Sequence, residues 1–348
     1  MPIVVKRLEA AAVPAWDRFV ESAPNGTFFH RAAWADVIGQ AFRHKSLYAF
    51  AERDGAITGV LPLVQVKTAL FGNTLISAPF CVYGGPLTAD AESAAALDAF
   101  AADAMKRTGA SATEYRFRDL PDHTGLGGEW RAKDDLYVTF RKPISADNDA
   151  NLKQIPRKQR AMVRKGIDSG LVSRVDANVD GLHAIYAESV RNLGTPVFSR
   201  RYFRILAETF GSRMDILTVL DQDRPVSAVL NFYDRDEVIP YYGGGTAEAR
   251  GVAANDFMYW EVMRRAAIRG CRLFDFGRSK VGTGAFSFKK NWGFAPHPLL
   301  HRFRLKDGAD IPDHNPLNPK YRMFIAGWKR LPLPIANRLG PIIVRGVG

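Results

Sequence analysis

Tyr242, Asp275 and Lys289 fall within one stretch of the chain and are of the types that move protons or stabilise charge. What is missing narrows their chemistry first. The sequence holds no GxSxG, no HExxH and no Cys-His zinc spacing, and its seven histidines are scattered. His297 and His301 are four apart, but Pro296 and Pro298 argue against a helical metal pair. A covalent nucleophile is therefore disfavoured and no metal is expected. Acyl transfer to an amine asks for less: a donor ester or thioester aligned with the amine, removal of one proton, and a stabilised oxyanion. Lys289 is the candidate for the oxyanion, with Asp275 or Tyr242 moving a proton or orienting substrate. Asp275 also has a purely structural reading as a hydrogen-bonded strand end, and Tyr242 as a sheet aromatic.

Cations gather around these three. Gly277-Arg278-Ser279-Lys280-Val281-Gly282-Thr283-Gly284 follows Asp275. In such a loop glycines let backbone N–H groups point inward, while Arg278 and Lys280 add positive charge. It lacks GxxxxGK[ST], so it is no Walker A loop, and a surface turn with solvated cations is its alternative. Phe288-Lys289-Lys290-Asn291-Trp292-Gly293 sets more cations beside aromatics, and Gly243-Gly244 ends the Tyr242 strand. Phe288, Lys290, Gly243 and Gly244 join Arg278 and Lys280 as candidate substrate contacts.

Upstream, Pro156 opens a helix on which Arg157, Arg160 and Arg164 share a face at i, i+3, i+7. Met162, Val163 and Ile167 are expected to pack on its other side. Three arginines on one stripe suit a phosphate or an RNA backbone, and a solvated basic face is the alternative. A net charge of +12 and a pI of about 9.7 favour an anionic partner.

The elements that must position these residues read as strand Val238–Tyr242, a glycine turn, a helix from Asn255 to Arg269 stopped by Gly270, and strand Cys271–Phe276. The same order stands earlier in the chain. Tyr83-Gly84-Gly85 parallels Tyr242-Gly243-Gly244, a helix stopping at Gly109 parallels the one stopping at Gly270, and Glu114–Phe117 parallels Leu273–Phe276. From Tyr83 to Glu114 is 31 positions and from Tyr242 to Asp275 is 33, so one α/β unit is duplicated in tandem. A chain of 348 residues fits two such domains. The expected division is 1–145, 146–295, and 296–348 returning to the first domain.

Hydrophobic residues make up 47% and charged residues 24%, as in a soluble globular protein. No apolar run reaches membrane-span length, and the N-terminus lacks a signal peptide's apolar core. With Cys81 and Cys271 the only cysteines, a reduced cytoplasmic compartment is expected. The tail from Asn315 repeats proline at 316, 319, 332, 334 and 341 and mixes apolar residues with Lys and Arg, without an acid. It reads either as packing on the first domain or as an interfacial segment on the inner face of an anionic membrane, anchored by Phe324 and Trp328.

RKQRAMVRKG from Arg157, LGTPVFSRRYF from Leu193, and the run from Tyr241 to Phe294 ending in FKKNWGF resemble the FemAB group. The spacing is similar to the branch found with exosortase/PEP-CTERM exopolysaccharide systems. The resemblance covers most of the chain and is strongest from Pro156 to Phe294. It implies an α/β (α+β) fold of two tandem GNAT-like domains. It also implies transfer of an amino acid from aminoacyl-tRNA to an amine in cell-envelope or exopolysaccharide synthesis, with no bound cofactor. Phe288-Lys289 matches the family's Phe-Lys pair, whose lysine serves the reaction centre. No inserted coiled-coil arm of the kind thought to serve tRNA is present. A CoA-using GNAT carries R/Q-x-x-G-x-G/A at a helix start. Here Arg250-Gly251-Val252-Ala253-Ala254-Asn255 puts alanine and asparagine at the final motif positions, which argues against CoA. The rival readings are a CoA-dependent N-acyltransferase and a non-catalytic RNA- or membrane-binding accessory.

Overall fold

The structure, a computed structural model, describes residues 2–311 and 319–346; Pro316 of the tail lies outside the described residues. Packing divides the chain into Met1–Leu136, Pro298–His314 and Arg345–Gly348 as one unit, and Tyr137–His297 and Asn315–Val344 as the other.

In the first unit a six-stranded sheet pairs Gly72–Ser77 in parallel with Ala112–Phe117, joined by the helix Ala91–Thr108. The second unit repeats the device. Glu237–Gly245 pairs in parallel with Leu273–Asp275 across the helix Ala254–Ile268, here called the crossover helix. Each unit also carries a two-residue hairpin, Ala49–Arg53 with Ala56–Leu61 and Met214–Asp221 with Arg224–Asp234. Asp54-Gly55 and Gln222-Asp223 both hold two consecutive positive φ angles, the geometry that matches strand twist at a two-residue turn.

Two expectations about boundaries are corrected. The sequence reading ends the first domain at 145, but the strand Tyr137–Pro143 hydrogen-bonds into the second unit's sheet, between Leu273–Asp275 and Ser279–Lys280. Leu300–Leu305 falls between the two segments of the second unit in sequence and lies between Ala112–Phe117 and Trp130–Lys133 of the first. The tail helices Pro319–Arg330 and Leu333–Val344 do not return to the first unit: they pack on the helix Val179–Leu193 of the second.

The helix Arg157–Asp168, the arginine helix, packs on the crossover helix. Its buried residues are Gln159, Val163 and Gly166, at i, i+4, i+7. Ile167, expected to pack, is 45% exposed instead. Gly166 decides the rotation: a Cβ built there would stand 2.7 Å from the Cβ of Phe257, so only glycine lets the two helices approach this closely. Gln159 donates to Oδ1 of Asp256, and the same oxygen accepts from Nε1 of Trp292 at 3.0 Å. Trp292 has no exposed surface. One buried carboxylate thus ties together the arginine helix, the crossover helix and the chain just beyond Lys289. Burial raises Asp256 above the usual carboxylate range, while the bonds from Gln159 and Trp292 pull the other way.

Four substitutions test the packing and its pH dependence. Gly166→Val should cost about 1–3 kcal/mol in urea unfolding, because a helix must move to admit the side chain. Gly39→Ala, where a Cβ meets nothing within 4 Å, should gain roughly 0.5–1 kcal/mol. Asp256→Leu should cost about 1–3 kcal/mol by stranding two buried donors. Asp256→Asn keeps an acceptor and should alter the pH dependence instead. Because the folded pKa is raised, this group's contribution is full at acid pH and fades as pH rises through that value. The Asn variant should lose that slope.

Candidate functional site

The site is built where two parallel strands part. Glu237–Gly245 and Leu273–Asp275 pair at only two positions, Glu237 with Leu273 and Val238 with Phe274. Farther along the longer strand, the register with Arg224–Asp234 jumps from Asn231–Pro240 to Leu230–Tyr242, leaving Tyr241 as a bulge residue. A bulge bends its strand and turns the following side chains over. The shorter strand runs on into the loop Phe276–Arg278 and then returns as Ser279–Lys280 along Tyr137–Pro143, which also pairs with Asp275.

Lys289 rises from the helix Gly284–Asn291, whose first turn is capped by Thr283: its Oγ1 accepts from the N–H of Phe286 at 3.3 Å. Its Nζ donates to the carbonyls of Phe276, Gly277 and Arg278 at 2.6, 3.1 and 3.1 Å. The rings of Phe140 and Phe276 have centroids 5.8 Å from the same nitrogen. Burial brings this ammonium down to about 7, with Arg278 acting in the same sense and Asp275 opposing. A lysine amine that titrates near neutrality is suited to proton transfer, and its charged form to holding an oxyanion.

Asp275 has no exposed surface and faces the same loop. Its Oδ1 accepts from the N–H of Gly277 at 2.7 Å and from the hydroxyl of Thr139 at 3.3 Å, and Oδ2 lies 3.5 Å from Nε of Arg141. Arg141 also pairs with Glu237. Gly277 takes φ 63°, the left-handed region in which glycine costs least, so that its N–H meets Asp275 while its carbonyl meets Lys289. Asp275 and Lys289 are therefore brought together, on opposite sides of one backbone turn. Thr139 and Arg141 escaped the sequence reading because they lie in the unit's first strand, far in sequence from Asp275 and Lys289.

Tyr242 is placed elsewhere. The bulge at Tyr241 turns it to the face covered by the helices Val179–Leu193 and Arg200–Phe210, among Tyr186, Phe198, Tyr202 and Phe203. Its hydroxyl shares a 2.9 Å hydrogen bond with that of Tyr202, and burial pushes its pKa far up. No contact among the described residues joins it to Asp275 or Lys289. A phenol so placed cannot serve as a base at neutral pH.

The remaining candidates sort by environment. Phe288 packs with Tyr259 and Trp292 and anchors its helix. Gly243 and Gly244 are required by packing: a Cβ would stand 2.9 Å from Val229 and 2.4 Å from Ser189. Arg278 and Lys280 both lie over the ring of Tyr137, at 4.6 and 5.3 Å, and Lys280 is buried. Lys290 is exposed. Arg157, Arg160 and Arg164 line one surface hollow of about 640 Å³ with Lys165, Asp168 and Ser169. Among the described residues no group of three or more His, Cys, Asp or Glu could hold a metal ion.

At the start of the crossover helix Ala253 takes φ 56°, and its methyl is buried at 3% exposure.

Residues 151–290 match the family model described as an acetyltransferase (GNAT) domain. No curated protein matches the chain. Among solved structures, FemX is 16% identical with a TM-score of 0.67, over 87% of this chain and 98% of that one. L-PGS from Bacillus licheniformis is 14% identical with a TM-score of 0.54, over 94% and 96%. A tandem GNAT protein from the clavulanic acid biosynthesis pathway is 13% identical with a TM-score of 0.54, over 88% and 100%. These likenesses establish the fold: the chain is a mixed α/β protein with the GNAT fold, similar to tandem GNAT proteins, and the family match lies within its second unit.

Proposed function

We propose that the chain transfers an acyl group, aminoacyl in the favoured reading, from an ester or thioester to an amine. The carrying observation is Lys289, half-buried where the two strands part, its amine enclosed by three carbonyls and brought down to about 7 by desolvation. The acceptor amine attacks the donor carbonyl, the carbonyl oxygen becomes an oxyanion, and the ester oxygen leaves with a proton as the new amide forms. Lys289 supplies a hydrogen bond to the oxyanion or a proton to the leaving oxygen. Asp275 works through the loop: it fixes Gly277 and favours the ammonium form of Lys289. The arginine helix offers its hollow to a phosphate-bearing substrate, tRNA included. The fold shared with FemX and L-PGS and the FemAB-like sequence support an envelope or exopolysaccharide setting, and the exosortase/PEP-CTERM setting is carried by the sequence resemblance alone.

A second reading, acyl-CoA as donor, is favoured by the match of residues 151–290 to the acetyltransferase (GNAT) domain model. Calorimetry separates the two: the aminoacyl reading expects no heat with acetyl-CoA at millimolar concentration.

Lys289→Met should lower turnover by about 10²–10⁴-fold while circular dichroism shows a folded chain; full activity would end the assignment. If the ammonium is the working form, the wild-type rate should fall as pH rises above about 7, and the variant's residual rate should not follow that profile. Arg160→Glu with Arg164→Glu should raise KM for a phosphate-bearing substrate about tenfold or more, hold kcat, and flatten the salt dependence of binding.

A further inference from the structure

The helix Leu333–Val344 has two apolar faces. Ala336, Gly340 and Val344, at i, i+4, i+8, are buried, and a Cβ on Gly340 would stand 2.8 Å from the main chain of Val197. That face holds the helix to the second unit. Ile335, Leu339 and Ile342, at i, i+4, i+7, form a second stripe that is 47, 41 and 65% exposed. On the preceding helix Met323 and Phe324 are 87 and 42% exposed. Packing within the chain accounts for the first face only; an aliphatic stripe turned to water at helical spacing marks an interaction surface.

Beside this stripe lies a cavity of about 460 Å³ whose lining includes His183, Ser199, Arg200, Asn337, Arg338 and Pro341. His183 is 3% exposed; it shares a 3.0 Å hydrogen bond through Nε2 with the carbonyl of Phe198 and accepts from Nε of Arg200 at Nδ1, at 3.4 Å. The buried ring thereby orients the Arg200 guanidinium at the cavity. At ~100° per helical residue, Arg338 falls between the cavity face of Asn337 and Pro341 and the exposed face of Leu339 and Ile342. A cationic cavity and an apolar ridge therefore share a border at Arg338. From 319 to 346 the sequence has six Lys or Arg and no Asp or Glu.

We propose that this helix docks on a bilayer bearing anionic phospholipids, with Ile335, Leu339 and Ile342 among the acyl chains and a headgroup phosphate held between Arg200 and Arg338. Apolar insertion and attraction to anionic headgroups act together at such a surface. Among the described residues no helix is long and apolar enough to cross a membrane, so the contact is peripheral. It stands independently of the chemistry assigned to Lys289.

The test is sedimentation of the full chain with vesicles of phosphatidylcholine alone or mixed with phosphatidylglycerol. Binding should require phosphatidylglycerol. Leu339→Asp and Arg338→Glu, both at exposed positions, should each weaken it about tenfold or more. Lys67→Glu, an exposed cation on the first unit, should leave it unchanged. Failure to bind the mixed vesicles, full binding by Leu339→Asp, or equal loss with Lys67→Glu would overturn the proposal. So would soluble glycerol 3-phosphate binding as tightly as the vesicles, which would make the cavity a site for a free phosphate.

Discussion

A single carboxylate oxygen, Oδ1 of Asp256, receives both the Gln159 amide and the Trp292 indole in a place nearly closed to water. Burying an acid is costly unless its lone pairs are met, so this contact is strict about geometry. It sets the arginine helix at one rotation and holds the end of the helix that carries Lys289. The outward direction of Arg157, Arg160 and Arg164 and the inward direction of Lys289 are two consequences of one polar knot. Phe257 and Gly166 reinforce it by admitting no other approach of the two helices.

The second constraint is local to Lys289. An ammonium drawn part-way out of water demands compensation, and here main-chain carbonyls supply it. Those carbonyls turn inward because Gly277 takes a left-handed φ and because the loop is pinned at both ends to Tyr137–Pro143. Catalytic tuning and loop structure are thus the same set of contacts. Any change that frees the loop also changes the basicity of the amine.

Much of this is legible in the residues. The repeated Tyr-Gly-Gly triplets and glycine helix stops disclose the tandem unit, although the second triplet lies inside the strand Glu237–Gly245 and is not the turn that its glycines suggest. The arginine stripe shows itself by helical spacing. The face opposite it does not, since Gln159 and Gly166 carry no hydrophobic signal, and the pattern points to Ile167 instead. The displacement of Tyr242 depends on one extra strand residue, Tyr241, which composition does not mark. The carbonyl cage of Lys289 is main chain, invisible in side-chain motifs. The strand Tyr137–Pro143 is misassigned because strand partnership is long-range information.

That exchange of strands bears on how the chain is made. Leu300–Leu305 lies inside the first unit's sheet, with Trp130–Lys133 at the edge beyond it. A ribosome reaches those residues only after Tyr137–His297, most of the second unit, has been translated, at ~5–20 residues per second. For all that interval the growing polypeptide exposes the edge of Ala112–Phe117, a template for wrong strand addition. Domain-by-domain folding from the N-terminus is closed to this architecture: the unit that emerges first waits for a strand made after most of the other.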